Sequence, residues 1–275
     1  MKKEDRITIF LAPGELFWLA GHLGYKNIPL LGGVFRGKPP EEMRTAIQQG
    51  QETLLNRNLV QRRGLQKVEV DPFLISLIGM LALPEYVNLV SSERKDESPI
   101  NVYMYFKNGQ SVSVIFKDRF FHFSLYRETA VLQRSLMSWM GVLGQLSERA
   151  VPLRSPTGDI TELMRKVWAQ PDTTFELLRA AGVEADDATK QADTISQISL
   201  VSLLKRINWQ TARLSMQGQL TVLGNSANLW YHEAAEIASE TPMLQPVSAS
   251  RAGLILSRFM RADLSEEDQT EAILE

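Results

Sequence analysis

Apolar and polar positions alternate most clearly in the middle of the chain. Val102, Met104 and Phe106 fall on one side of an extended segment, and Val112, Val114 and Phe116 do so beyond Asn108-Gly109. That spacing predicts two paired strands, because successive strand side chains point to opposite faces. Asn-Gly suits the two-residue turn between them, since both positions tolerate positive φ. Phe121, Phe123 and Leu125 add a third alternating set after Asp118-Arg119, and Leu132, Leu136, Trp139, Leu143 and Leu146 follow at helical spacing.

The plan returns in the second half. Leu214, Met216, Gly218, Leu220 and Val222 share one face of an expected strand, with Ser215, Gln217, Gln219 and Thr221 opposite; a turn is expected at Gly224-Asn225. Residues 228–233 are matched to 120–126, and the stripe Ala252, Ile255, Leu256 and Phe259 answers the helix near Trp139. Residues 196–208 read equally as strand or helix. The expectation is an α+β fold in which helices pack on an antiparallel sheet. Its two quasi-repeated halves are residues 1–152 and 153–275, sharing one core.

Punctuation places the remaining elements. A helix is expected over 15–23, stopped by Gly24, and a Gly/Pro-rich loop over 28–40. Glu41 and Glu42 then open a helix through Asn56, acids being favoured at a helix N-terminus. An extended ribbon follows to Val70, and Asp71-Pro72 starts a helix bearing Leu74, Leu77, Ile78 and Leu81. Residues 86–90 read as a strand and 91–99 as a charged connection. Helices are expected over 160–168, 175–181 and 185–192, and the acidic end 263–275 reads as solvated.

Composition narrows the chemistry. The chain has 275 residues, 44% hydrophobic, and no cysteine. That is ample for a core, and it excludes disulfides, thiolate nucleophiles and cysteine-bound metal. The net charge of −2 gives no global attraction to nucleic acid or an anionic membrane. No apolar stretch approaches the length of a membrane helix, and the start of the chain does not read as a signal peptide, so a cytoplasmic location is expected.

Catalytic signals are sparse. His22, His122 and His232 belong to no close ligand motif, no Gly-x-Ser-x-Gly is present, and Gly32-Gly33 stands outside any phosphate-binding pattern. The expectation is therefore a protein that is not an enzyme and uses no cofactor or metal. Arg57, Arg62, Arg63 and Lys67 cluster around the ribbon after two helices, in the order of a winged helix, so they are candidate contacts to a partner or to DNA phosphates. A charged strand edge that discourages aggregation is the structural alternative. Among five tryptophans, Trp209 in Asn208-Trp209-Gln210-Thr211 is the candidate interface residue, placed at an expected turn.

A family resemblance joins these features. Residues 54–60 form a Leu-x-x-x-x-Leu-Val helix ending; Val70-Asp71-Pro72 opens an apolar helix, and Leu83-Pro84-Glu85-Tyr86-Val87 opens a strand run. With Trp230 and Leu244-Gln245-Pro246 leading into the final helix, this order resembles the EspG-type chaperones of type VII secretion. The resemblance implies a quasi-two-fold α+β scaffold that binds secretion substrates rather than converting them. The two readings carried forward are a protein-binding, chaperone-like scaffold and a winged-helix-like DNA-binding regulator.

Overall fold

The computed structural model describes residues 6–64, 67–142, 150–154, 159–210, 213–234 and 243–261. Strand β1 (Arg6–Leu11) leads into α1 (Pro13–His22), and a 3-10 turn (Gly32–Phe35) precedes α2 (Pro40–Asn56). The ribbon is β2 (Val60–Arg63) and β3 (Lys67–Val70), followed by α3 (Pro72–Ala82), β4 (Tyr86–Arg94), β5 (Ile100–Lys107), β6 (Gln110–Lys117), β7 (Phe120–Tyr126) and α4 (Thr129–Trp139). Then come β8 (Leu153–Arg154), α5 (Ile160–Ala169), α6 (Thr174–Ala180), α7 (Ala185–Ser196), β9 (Leu200–Gln210), β10 (Arg213–Gly224), β11 (Leu229–Ala234), β12 (Met243–Pro246) and α8 (Ala249–Arg258).

Among the described residues, ten strands form an antiparallel sheet in the order β1-β7-β6-β5-β4-β9-β10-β11-β12-β8, and β2 and β3 pair separately. The fold is α+β. The order reads alike from both ends, with β4 to β7 before α4 in one direction and β9 to β12 before α8 in the other. On that order β7 stands where β12 does, whereas the expectation matched 120–126 with 228–233, the region of β11. The turns differ too. Asn108 and Gly109 have φ of 50° and 72° in a two-residue turn, whereas four residues separate Gly224 from its partner Leu229.

The chain divides into two compact units whose sequences interleave. The first comprises Met1–Val87, Val102–Glu128 and Asn208–Leu214, and the second Asn88–Asn101, Thr129–Ile207 and Ser215–Glu275. In the first, the register pairs Ile7, Ile9 and Leu11 of β1 with Leu125, Phe123 and Phe121 of β7. All of these but Ile7 share a core with Val112 and Val114 of β6, Tyr105 of β5, Leu16 and Leu19 of α1, and Leu74, Leu77, Ile78 and Leu81 of α3. Asp71 caps α3 by accepting the Phe73 N–H at 2.8 Å, as its position before proline predicts. Strand β5 is buried on both faces, since Met104 and Tyr105 are both fully enclosed.

In the second unit, Leu163, Met164 and Val167 of α5, Leu178 of α6 and Ile195 of α7 share a core with Val201, Leu223 and Trp230. Two expectations change here. Residues 91–94, read as connection, continue β4, and the ambiguous stretch 196–208 resolves into the end of α7 and strand β9. The physical reason is a buried polar pair: the hydroxyls of Ser92 and Ser202 lie 2.8 Å apart, so polar residues satisfy each other inside the sheet. Trp209 lies within β9 rather than at a turn. Its side chain, Leu143, Leu146 and the acidic end 263–275 lie outside the described residues.

Candidate partner-binding surface

The sequence-selected cations differ in their partners. Arg57 is taken up within the first unit: its Nη1 donates to both carboxylate oxygens of Glu15 at 2.8 Å, and its Nη2 donates to the Phe10 carbonyl at 2.9 Å. Glu15 is only 1% exposed and also accepts the Ala12 N–H at 2.7 Å. A buried carboxylate thus closes the start of α1, and its counter-ion covers the outer strand β1 at Phe10.

Within the ribbon, Arg63 pairs with Glu69 at 2.5 Å on an exposed surface, and Arg62 and Lys67 face solvent. Pairs this exposed contribute little to stability. His22, at the end of α1, places Nε2 3.2 Å from the Val68 carbonyl and stacks on Trp18. The ribbon is therefore tied to α1. Nothing in the structure or in the comparisons below supports the DNA-binding alternative.

The other two histidines differ in their surroundings. His122 places Nε2 3.2 Å from the Lys117 carbonyl and packs edge-on against Phe10. His232 has a buried Nε2 with no hydrogen-bond partner, and burial lowers its pKa from the usual 6.5. Tyr105, fully enclosed, donates its phenol to the Pro29 carbonyl at 2.5 Å, and burial raises its pKa well above 10.0. That bond pins the Gly/Pro-rich loop 28–40 to the sheet.

The pinned loop forms the floor of a cleft. A Cβ placed on Gly14 would lie 2.0 Å from the Ala46 carbonyl oxygen, and one on Gly50 would lie 2.3 Å from Gly14. The backbones of α1 and α2 therefore touch at this crossing, and only glycine permits the approach. Phe17, Ala20 and Gly21 of α1, Met43 and Ile47 of α2 and the segment from Gly24 to Phe35 line about 590 Å³ of open space. Gly24, at φ 83°, ends α1 with Tyr25 N–H bonded to the Ala20 carbonyl at 2.8 Å, which turns the chain beneath the opening. Phe17 and Phe35 meet edge-to-face at 5.2 Å there.

The lining is largely apolar and the space is open to solvent. Its residues were read from sequence as a helix stripe and a loop. The missed signal was the pairing of Gly14 with Ala46-x-x-x-Gly50, a small-residue spacing that permits close helix crossing.

No protein-family profile matches the chain, and no curated protein matches it in sequence. Among solved structures it is similar to the Mycobacterium tuberculosis type VII secretion system chaperone EspG5, determined in complex with a PE25-PPE41 dimer. The TM-score is 0.58 over 90% of this chain and 94% of that chain. At 11% identity the likeness is one of fold, and the chain has the α+β architecture of that chaperone.

Proposed function

We propose that this protein is a non-enzymatic, protein-binding scaffold of the chaperone type, acting in the cytoplasm on a client of a secretion system. The observation that carries the reading is the fold shared with EspG5, a chaperone that binds a protein dimer, over 90% of the chain. The cleft between α1 and α2 supports it, because an open apolar site on a well-packed unit suits a client's apolar side chains. Among the described residues no helix is long and apolar enough to cross a membrane. The mirrored strand order supports an internal duplication, with residues 1–152 and 153–275 as its halves. Arg62, Lys67 and Trp209 remain further contacts proposed for the client.

The test is site-directed photo-crosslinking in the native cell. A benzoylphenylalanine at Phe35, in the cleft, should give discrete protein adducts identifiable by mass spectrometry, and one at exposed Glu52 should not. Adducts absent from Phe35, or the same from both positions, would remove the reading.

A further inference from the structure

Residues 26–38 join α1 to α2 and hold to the rest of the first unit by few bonds. Their backbone hydrogen bonds are local: the Leu31 N–H donates to the Ile28 carbonyl at 3.4 Å, Arg36 to Gly33 at 3.0 Å and Lys38 to Phe35 at 3.0 Å. Among the described residues, the Tyr105 phenol, donating to the Pro29 carbonyl, makes the one hydrogen bond between this segment and the rest of the chain. Apolar seating supplies the remainder. Ile28 and Leu31 are buried in the first core, and residues 26–27 and 36–38 are exposed on either side of them.

Between those two seated side chains the backbone is strained. Leu30 has φ 66°, a left-handed conformation in which the Cβ of an L-residue crowds its own backbone. Such a conformation persists only where the surroundings over-determine it. Here the bonded Pro29 carbonyl lies just before Leu30 and the seated Leu31 side chain just after, so both of its neighbours are fixed.

We propose that residues 26–38 form a two-state strap, latched by Tyr105 on Pro29, which opens as a whole while α1, α3 and the strands of the first unit stay folded. Opening relaxes Leu30, takes Ile28 and Phe35 from the lining of the cleft and uncovers the core where Ile28 and Leu31 were seated. How much apolar surface the first unit offers is thereby set by a local equilibrium. The strap is a property of the free chain, so it stands or falls apart from the protein-binding reading.

Hydrogen–deuterium exchange of the full chain tests it. In the unsubstituted chain, amides of residues 30–38 should exchange through a local opening that low urea does not affect, faster than those of α3 and β6. Tyr105→Phe keeps the ring and removes the latch, and should speed exchange over 30–38 by about fivefold while leaving α3 and β6 unchanged. Leu30→Gly and Leu30→Ala both lose the side chain but differ in their tolerance of positive φ. The strap of the glycine variant should exchange about fivefold more slowly than that of the alanine variant.

Exchange of 30–38 at the rate of α3 in the unsubstituted chain overturns the proposal. So does a response to Tyr105→Phe that is absent or shared equally by α3, or protection by alanine at position 30 that equals or exceeds that by glycine.

Discussion

The pair α1 and α2 in the first unit and the pair α4 and α8 in the second both have glycine at the contact, and the glycines do different things. At Gly14 and Gly50 the helices meet backbone to backbone, with no room for a methyl group. At Gly253 of α8 a Cβ would find only Gln133 and Met137 side-chain atoms at 3.7–3.9 Å, an ordinary contact. There the link is a side chain: Gln133 Nε2 donates to the Gly253 carbonyl at 3.0 Å and to the Ser257 hydroxyl at 2.6 Å. Beside α8 the remaining void is about 10 Å³, lined by Val142, Leu220, Val222 and Ile255 among others. The first pair meets through backbone, the second through side chains. A glycine in a helix thus carries structural meaning only through what its missing Cβ would meet.

Breaking the contrast at its strongest point means adding a methyl group. Gly50→Ala should destabilise the protein by about 3 kcal/mol, because the obstruction is backbone and cannot rotate away. Gly253→Ala should instead gain about 0.5–1 kcal/mol from helix propensity. Urea denaturation of the two variants side by side checks both signs. Similar effects in both would erase the distinction.

A second break removes the ion that closes the start of α1. Arg57→Ala leaves Glu15 buried with only the Ala12 N–H, and should cost about 2–3 kcal/mol. The lower part of the expected range applies because the Arg57 side chain is 36% exposed. A double-mutant cycle with Glu15→Gln should show strong coupling, whereas independent effects would mean that the pair is incidental.

The smallest change sharpens the side-chain contact. Gln133→Ala removes both bonds to α8 and should cost about 1 kcal/mol, since Gly253 and Ser257 keep a bond to each other at 2.8 Å. A loss as large as that of Gly50→Ala would show that α4 and α8 depend on their link as α1 and α2 depend on theirs.

Much of the fold was legible locally. Asn108-Gly109 set a hairpin, Asp71-Pro72 a helix start and Gly24 a helix stop, because each rests on a φ preference or a cap within a few residues. Strand β1 had the same alternation in Ile7, Ile9 and Leu11, but that run was weighed only against a signal peptide and was not read as a strand. The extension of β4 was not legible, since Ser92 looks like loop until Ser202 is placed opposite it.

The candidate site was less visible than the fold for the same reason. Arg57 read as part of a basic cluster because its neighbours in sequence are basic, yet its partner Glu15 is 42 residues away. Phe17 lies in the first expected helix but outside its stripe, Phe35 in the loop and Met43 in the second helix, and nothing local brings them to one site.

By itself the sequence determined the α+β class, most element boundaries and the absence of thiol chemistry, all consequences of residue type and short-range spacing. Only the tertiary structure decided which charges pair, which glycines matter and where apolar residues stay uncovered, because each depends on atoms brought together from distant parts of the chain.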